Sequence, residues 1–232
     1  MKLKPGFSII IPCYNVGEYI TSTIESIVYQ KFKYPFEIII VDDCSTDYIT
    51  NKALKKIYDS GEAKVIKLKN NMGPQFARNV GIKKSKFDFI FCIDADDMLN
   101  LDKKILINGT YPDVAIDILI NNPNIAFVHC PWLMFDAFNG LTISAYPVNE
   151  ELILKKHHVQ SSIVYRKKEG IKSGLYNVKI KKWQDWSFAV SLLNYRFLMG
   201  KKNEISFLKE PYYLYRIHNN PNRISSHEID EK

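Results

Sequence analysis

Four short apolar runs, Phe7 to Ile11, Phe36 to Val41, Ala63 to Leu68 and Phe87 to Ile93, recur through the first hundred residues with helix-patterned segments between them. They are rich in Ile, Val and Phe without polar alternation, as strands of a parallel sheet covered on both faces would be. Between the first two, Asn15-x-x-Glu18 reads as a capping box ahead of Ile20, Ile24, Ile27 and Val28 on one helical face. A polar turn, Asp42 to Asp47, leads to a second helix striped by Ile49, Ala53, Leu54 and Ile57. Gly73-Pro74 opens a third, with Phe76, Ala77 and Val80 facing inward. Three βα repeats in succession specify an α/β, doubly wound, mostly parallel central sheet.

The remainder is less regular. Pro112 to Asn121 has helical spacing, Ile125 to Cys130 and Gln160 to Tyr165 read as strands, and Asn139-Gly140 is a turn signal. Trp186 to Phe197 is helical again, with Trp186, Ala189, Val190 and Leu193 on one side. No repeat, low-complexity tract or linker interrupts the 232 residues, so a single domain over 1–232 is expected.

Hydrophobic residues at 46% and charged residues at 25% exclude the disordered, collagenous and disulfide-scaffold classes. The four cysteines lie 31, 48 and 38 residues apart, without the C-x-x-C pairs of structural zinc or dithiol redox sites, which fits free thiols in a reducing compartment. No apolar run approaches the ~18 residues of a membrane span, and Phe7 to Ile11 is too short for a signal-peptide core. A cytoplasmic location is expected. The net charge is +2 over residues 1–100, −3 over 101–150 and +8 over 151–232. A basic last third serves as a solvated lysine surface, or faces an anionic membrane or a phosphate-bearing substrate.

In doubly wound sheets, ligands bind beyond the carboxyl ends of the strands, where Pro12 to Asn15, Asp42 to Ser45 and Asp94 to Asp97 would gather. The stretch FCIDADDML ends a buried strand in Asp94, Asp96 and Asp97. Carboxylates this close repel unless a cation shares them, and Mg2+ or Mn2+ is commonly held by one or two carboxylates plus substrate phosphates. N-capping of a following element, or a solvated turn, explains an isolated D-x-D equally well. On the same rim, Tyr14 offers a ring to a nucleobase and Asp43 an acceptor for the N3 hydrogen of uracil. Asp42-Asp43-x-Ser also suits plain turn chemistry.

With FSIIIPCYNVGEYI (7–20), EIIIVDDCSTD (37–47), NNMGPQFARNVGI (70–82) and FDFIFCIDADDML (87–99) in this order and spacing, the sequence resembles the inverting glycosyltransferases of family 2, which have the GT-A fold. The resemblance weakens from 101 to 182 and returns at WQDW (183–186) and YLYRIHNN (213–220). It implies a nucleotide-sugar half at 1–100 and an acceptor and catalytic-base half at 101–232. Pro12, Tyr14 and Asp43 would hold the nucleobase side of a nucleoside-diphosphate sugar, expected to be a UDP-sugar, with Asn15 and Asp42 on the same rim. Asn71 and Arg78 would line the donor pocket, and Asp94, with Ala95 beside it, would contact ribose or donor sugar. Asp96 would bind Mn2+ or Mg2+ beside the diphosphate, and His218 would complete that shell.

The family places a Glu-Asp pair before an aromatic-rich helix. Here Gln184-Asp185 takes its place, flanked by Trp183 and Trp186, and the resemblance makes Asp185 the base that deprotonates the acceptor hydroxyl. Such general-base help is worth roughly 10²- to 10⁴-fold. Helix capping by Asp185 and a surface ion pair at Arg78 are the structural alternatives. Cys44 replaces a usual Gly. Gln184, Trp186, Trp132 and His158 are candidate acceptor contacts.

The implied activity is nonprocessive transfer of one sugar to a glycan, lipid-linked saccharide or small-molecule acceptor, with the basic last third offering a peripheral membrane contact; the Q-x-x-R-W motif of processive synthases is missing. A noncatalytic nucleotide-sugar-binding protein is the alternative. A sugar-phosphate nucleotidyltransferase would need a Gly-rich loop after the first strand, and Pro12 to Gly17 has one Gly. Nucleic acid is not an expected partner, because a rim of carboxylates repels a phosphate backbone.

Overall fold

The computed structural model describes residues 5–142 and 148–218. Strands β1 (Phe7–Cys13), β2 (Phe36–Asp42), β3 (Lys64–Lys67) and β4 (Phe89–Cys92) alternate with helices α1 (Tyr19–Val28), α2 (Tyr48–Ser60) and α3 (Pro74–Lys84). There follow β5 (Met98–Leu99), a 3-10 turn (Ile105–Asn108), α4 (Tyr111–Asn121), β6 (Ile125–His129), β7 (Trp132–Asp136), β8 (Gly140–Leu141) and α5 (Glu150–Lys155). The last elements are β9 (Val164–Arg166), α6 (Lys167–Lys172), α7 (Gln184–Leu198), β10 (Glu204–Phe207) and β11 (Tyr213–Ile217).

Seven strands form one sheet in the order β10-β6-β9-β4-β1-β2-β3. β4, β1, β2 and β3 are parallel, β9 runs antiparallel between β4 and β6, and β10 is parallel to β6. The chain steps from β1 outward to β2 and β3 and then crosses back to β4 on the other side of β1. That reversal opens a crevice at the carboxyl ends of β1 and β4, and the second, four-stranded sheet β5-β11-β7-β8 begins just beyond it.

Alternate residues of each strand enter two cores. Phe7, Ile9, Ile11, Ile38, Ile40, Phe89 and Phe91 pack with Ile20, Ile24 and Ile27 of α1, Leu54 of α2 and Tyr111 and Ile116 of α4. Ile10, Ile39, Val41, Ile90 and Cys92 pack on the other face with Ala77 and Ile82 of α3 and Phe188, Leu192 and Leu193 of α7. Two covered faces explain why the strands read as unbroken apolar runs. Gly81 lets α3 lie against β1, since a Cβ there would stand 2.5 Å from Ile10 Cγ2. The close approach carries Arg78, one turn earlier, down to the sheet.

Arg196 anchors α7. Fully buried, it pairs with Glu169 of α6 at 2.7 Å and donates to the carbonyls of Pro123, Asn124 and Lys202. Removing one member of such a buried pair typically costs ~3–5 kcal/mol. The same network sets the position of the helix that begins with Gln184 and Asp185.

Some local expectations change. Asn15 does not cap α1: its φ is +48°, and its Oδ1 accepts the N–H groups of Thr46 and Asp47 at 2.8 and 3.2 Å, tying the β1–α1 loop to the β2–α2 loop. The cap position of α1 is Glu18, without a side-chain bond. Ile49 is half exposed rather than part of the α2 stripe. β3 exposes both of its lysines, as an edge strand does. β9 starts at Val164, after a turn where a strand was expected from Gln160.

Candidate active site

The carboxyl ends of β1, β2 and β4 bring three loops to one rim. Asp43 follows β2, its N–H bonded to the Cys13 carbonyl at 2.8 Å, and its carboxylate receives the N–H groups of Met72 and Gly73 at 2.8 and 2.7 Å. Burial raises its pKa, opposed by those two bonds. It shapes the loop that carries exposed Asn71 toward the rim. Asp42 is buried and turned into its own loop, accepting from Ser45 N–H at 2.8 Å with Lys67 Nζ at 3.6 Å. Pro12 is buried in the β1–β2 ladder, while Tyr14 is partly exposed just beyond it.

Arg78 of α3 is buried behind this rim, at 2% exposure. Its Nη2 lies 2.5 Å from Asp94 Oδ1, its Nη1 3.7 Å from Asp185 Oδ1, and its guanidinium 5.4 Å from the Tyr176 ring centroid. Burial works against its charge, yet the two carboxylates hold its pKa above the ordinary value. The pairing is a buried one, not the surface ion pair that a helical arginine usually makes. Asp185 sits in the first turn of α7, whose cap position is Trp183, and it makes no capping bond. Burial lifts its carboxyl to about 6, Arg78 pulling it down and Asp94 pushing it up. Its Oδ1 and the neighbouring Gln184 Oε1 are buried without hydrogen-bond partners. Trp186 is fixed, donating from Nε1 to the Ile153 carbonyl at 2.5 Å.

The Asp94–Asp97 turn divides its side chains between two tasks. Asp97 is fully buried and accepts from Tyr213 Oη at 2.6 Å and from Arg216 N–H at 2.9 Å. Burial, with Asp96 and Asp94 nearby, raises its pKa well above the carboxylate range. The Ala95 carbonyl accepts from Thr23 Oγ1 at 2.9 Å, and Asp94 N–H donates to Tyr213 Oη at 3.3 Å. Asp96 points the other way, with Oδ2 2.8 Å from His218 Nε2. The His218 ring lies against Tyr19, centroids 4.8 Å apart.

Asp96 and His218 carry one oxygen and one nitrogen of the kinds a divalent cation accepts, here bonded to each other at 2.8 Å. Among the described residues no group of three or more His, Cys, Asp or Glu side chains that could hold a metal ion is found, so these two side chains alone would fit a cation only with most of its ligands supplied by substrate or water. Asn219 and Asn220 of the YLYRIHNN segment lie outside the described residues.

Of the acceptor candidates, Trp132 stacks between Tyr213 and Tyr215 and donates from Nε1 to Ser162 Oγ at 2.7 Å, while His158 lies near buried His129. Sequence reasoning assigned nothing to Tyr213, Arg216 or Tyr176. The first two fell inside a quoted motif whose aromatic and basic character was the available signal. Nothing in the sequence places Tyr176 beneath Arg78.

Comparisons with known proteins point one way. Residues 8–105 match the profile of glycosyl transferase family 2. Over 96 residues, 40% of this chain, it is 41% identical to the poly(ribitol-phosphate) beta-N-acetylglucosaminyltransferase TarS of Staphylococcus aureus, spanning 17% of that protein. Over 193 residues, 80% of this chain and 61% of the relative, it is 28% identical to an uncharacterized glycosyltransferase of Haemophilus influenzae. A crystal structure of TarS in complex with UDP superposes with a TM-score of 0.70 at 26% identity, covering 91% of this chain and 60% of the other. The chain thus spans less than two thirds of each of these relatives.

Proposed function

We propose, for a chain that carries a glycosyl transferase family 2 domain of GT-A fold, nonprocessive transfer of one sugar from a UDP-sugar to an acceptor hydroxyl, with inversion at the anomeric carbon, within a single domain. The observation that carries this reading is the Asp185 carboxylate, tethered by Arg78 beside Asp94 at the sheet rim and with a pKa raised by burial to about 6. A general base works best with a pKa near the working pH, and Asp185 is ionised at pH 7 yet basic enough to accept a proton. The complex of the TarS neighbour with UDP supports the nucleotide.

On this reading Tyr14, Asp43 and Asn71 receive the nucleoside, and Asp94, held by Arg78, meets the ribose or donor sugar. Asp185 takes the proton of the incoming hydroxyl as that oxygen attacks the anomeric carbon from the face opposite the leaving diphosphate. Asp96 and His218 would hold Mn2+ or Mg2+, which when bound offsets the charge developing on the departing UDP. Gln184 beside the base supplies a neutral acceptor where a second carboxylate would push the pKa of Asp185 further up.

The test is a thermal-shift panel of UDP and UDP-sugars with and without Mn2+, followed by UDP release and NMR of the product anomer. A ligand at 100 times its dissociation constant stabilises by ~2.7 kcal/mol. No shift with any uridine nucleotide, or a product of retained configuration, would contradict the proposal. Full turnover after exhaustive chelation would remove the metal role of Asp96 and His218.

The acceptor is proposed to be a glycan or lipid-linked saccharide presented at the inner face of a membrane. No helix among the described residues is long and apolar enough to cross a bilayer. Phe197, Leu198 and Met199 end α7 exposed in succession at 69, 72 and 58%, ahead of Lys201 and Lys202, a composition suited to an anionic lipid surface. Equal partition onto neutral and anionic vesicles would contradict this contact.

A further inference from the structure

Trp183 stands in the left-handed backbone region, φ +57° and ψ 34°, immediately before α7. A bulky side chain is disfavoured there, and such a conformation persists only where its surroundings fix it. Ser187 N–H bonds the Trp183 carbonyl at 2.9 Å. The Trp183 ring meets the anchored Trp186 ring nearly edge-on, 6.2 Å between centroids at 76°. The loop before it is tied to α3, Gln75 Nε2 donating to the Ile180 carbonyl at 2.5 Å.

The ring so fixed is nonetheless 53% exposed. Val178, Lys179, Lys181 and Lys182, just before it in the chain, are exposed as well, and Lys182 Nζ lies over one face of the ring, 5.1 Å from its centroid, leaving the other face for a ligand. The next two residues are Gln184 and Asp185, whose Oε1 and Oδ1 are buried acceptors without hydrogen-bond partners. Buried polar atoms are normally satisfied, so Gln184 Oε1, which has no partner, beside Asp185 Oδ1, which meets only Arg78 Nη1 at 3.7 Å, beyond hydrogen-bond distance, marks a place where a donor from outside the chain fits. An exposed, immobilised aromatic face is the surface on which the C–H face of a sugar ring stacks, and lysines around it suit an anion.

Resting on the transferase reading, we propose that Trp183 is the floor of an acceptor subsite for an anionic glycan. A sugar ring stacks on Trp183, one hydroxyl donates to Gln184 Oε1, the reacting hydroxyl faces Asp185, and a carboxylate or phosphate group on the glycan is received by Lys181 and Lys182. The subsite does not include the donor side, so donor binding and acceptor binding separate experimentally.

The experiment measures binding by calorimetry, with UDP present, of two matched pairs: tetragalacturonate against maltotetraose, and glucose 6-phosphate against glucose. At least one anionic probe should bind the unaltered protein ten times more tightly than its neutral counterpart. Trp183→Ala should weaken binding of that probe tenfold or more, with Trp183→Phe recovering most of it. Trp183→Gly, which accepts the positive φ without strain, should behave as Trp183→Ala does and guards against a folding defect. Lys181→Ala with Lys182→Ala should abolish the anionic preference, and every variant should keep the thermal shift given by UDP.

Binding by Trp183→Ala and Trp183→Gly equal to the unaltered protein would overturn the platform, as would failure of every probe to bind. Equal affinity within both pairs would overturn the anionic acceptor. A protein that bound the saccharides but no uridine nucleotide would instead overturn the transferase reading and leave the subsite standing.

Discussion

Arg78 Nη1 lies 3.7 Å from Asp185 Oδ1, joining α3 to α7, which begins about a hundred residues later. The same guanidinium holds Asp94 at 2.5 Å, so one buried cation serves two carboxylates from two parts of the chain. Without it, burial and the charge of Asp94 would both drive the Asp185 pKa upward.

That relationship gives a pH prediction. Activity of the unaltered protein should fall as pH drops through about 6, where Asp185 protonates. In Arg78→Met the acid limb of kcat/KM should move upward by roughly one unit or more, because an opposite charge within ~4–6 Å no longer favours the ionised form. Arg78→Lys keeps the charge but not the fork, and its limb should stay close to the original. A limb unmoved in Arg78→Met would show that Arg78 does not set this titration.

Asp185→Asn should lose about 10²- to 10⁴-fold in kcat while retaining the thermal shift by UDP. It should also be the more stable protein at neutral pH. A carboxyl whose folded pKa is raised to about 6 contributes fully below its unfolded value near 4, and loses that contribution as pH rises through 6. Substitution by a neutral amide therefore gains on the order of 2 kcal/mol at pH 7, the attraction of Arg78 being already contained in the raised value. Calorimetric melting at pH 5 and pH 8 checks the sign, since the advantage of the variant should be larger at pH 8.

Neighbouring aspartates should fail differently. Asp97→Ala leaves Tyr213 Oη and Arg216 N–H without their acceptor and should cost about 1–3 kcal/mol of stability. Asp96→Asn should melt near the original temperature but lose the Mn2+-dependent part of the nucleotide thermal shift, and His218→Ala should lose it in part. If Asp96→Asn kept the full Mn2+ response, the cation would have to be held elsewhere.

The parallel half of the fold was legible because β1, β4 and most of β2 are buried on both faces and each crossover helix shows its stripe within a few residues. The second sheet was not, since β5 and β8 have two residues each and carry no periodicity. Asn15 misled for a related reason: Asn-x-x-Glu describes a local cap, but the Asn15 side chain is claimed by Thr46 and Asp47, thirty-odd residues on. The motifs singled out Asp43, Arg78, Asp94, Asp96 and Asp185 as candidates. That Asp94 and Asp185 share Arg78, that Asp96 meets His218 and that the adjacent Asp97 is spent on Tyr213 depends on tertiary neighbours that no spacing encodes.

His129 offers a prediction independent of the site. It is fully buried on β6 between Phe127 and Phe207, with both ring nitrogens lacking hydrogen-bond partners. Burial, with His158 adding, lowers its pKa to about 4. A histidine whose folded pKa is depressed supports the fold fully above its unfolded value near 6.5 and withdraws that support as pH falls toward 4. Because the unfolded chain binds the proton first, stability should decline by roughly 1 kcal/mol per pH unit across that window, about 3 kcal/mol in all. His129→Phe fits a pocket already lined by two phenylalanines and should flatten this part of the curve, leaving stability at pH 7 unchanged or higher. Urea denaturation at pH 7, 5.5 and 4.5 measures it, and parallel declines in both proteins would assign the acid sensitivity to other groups.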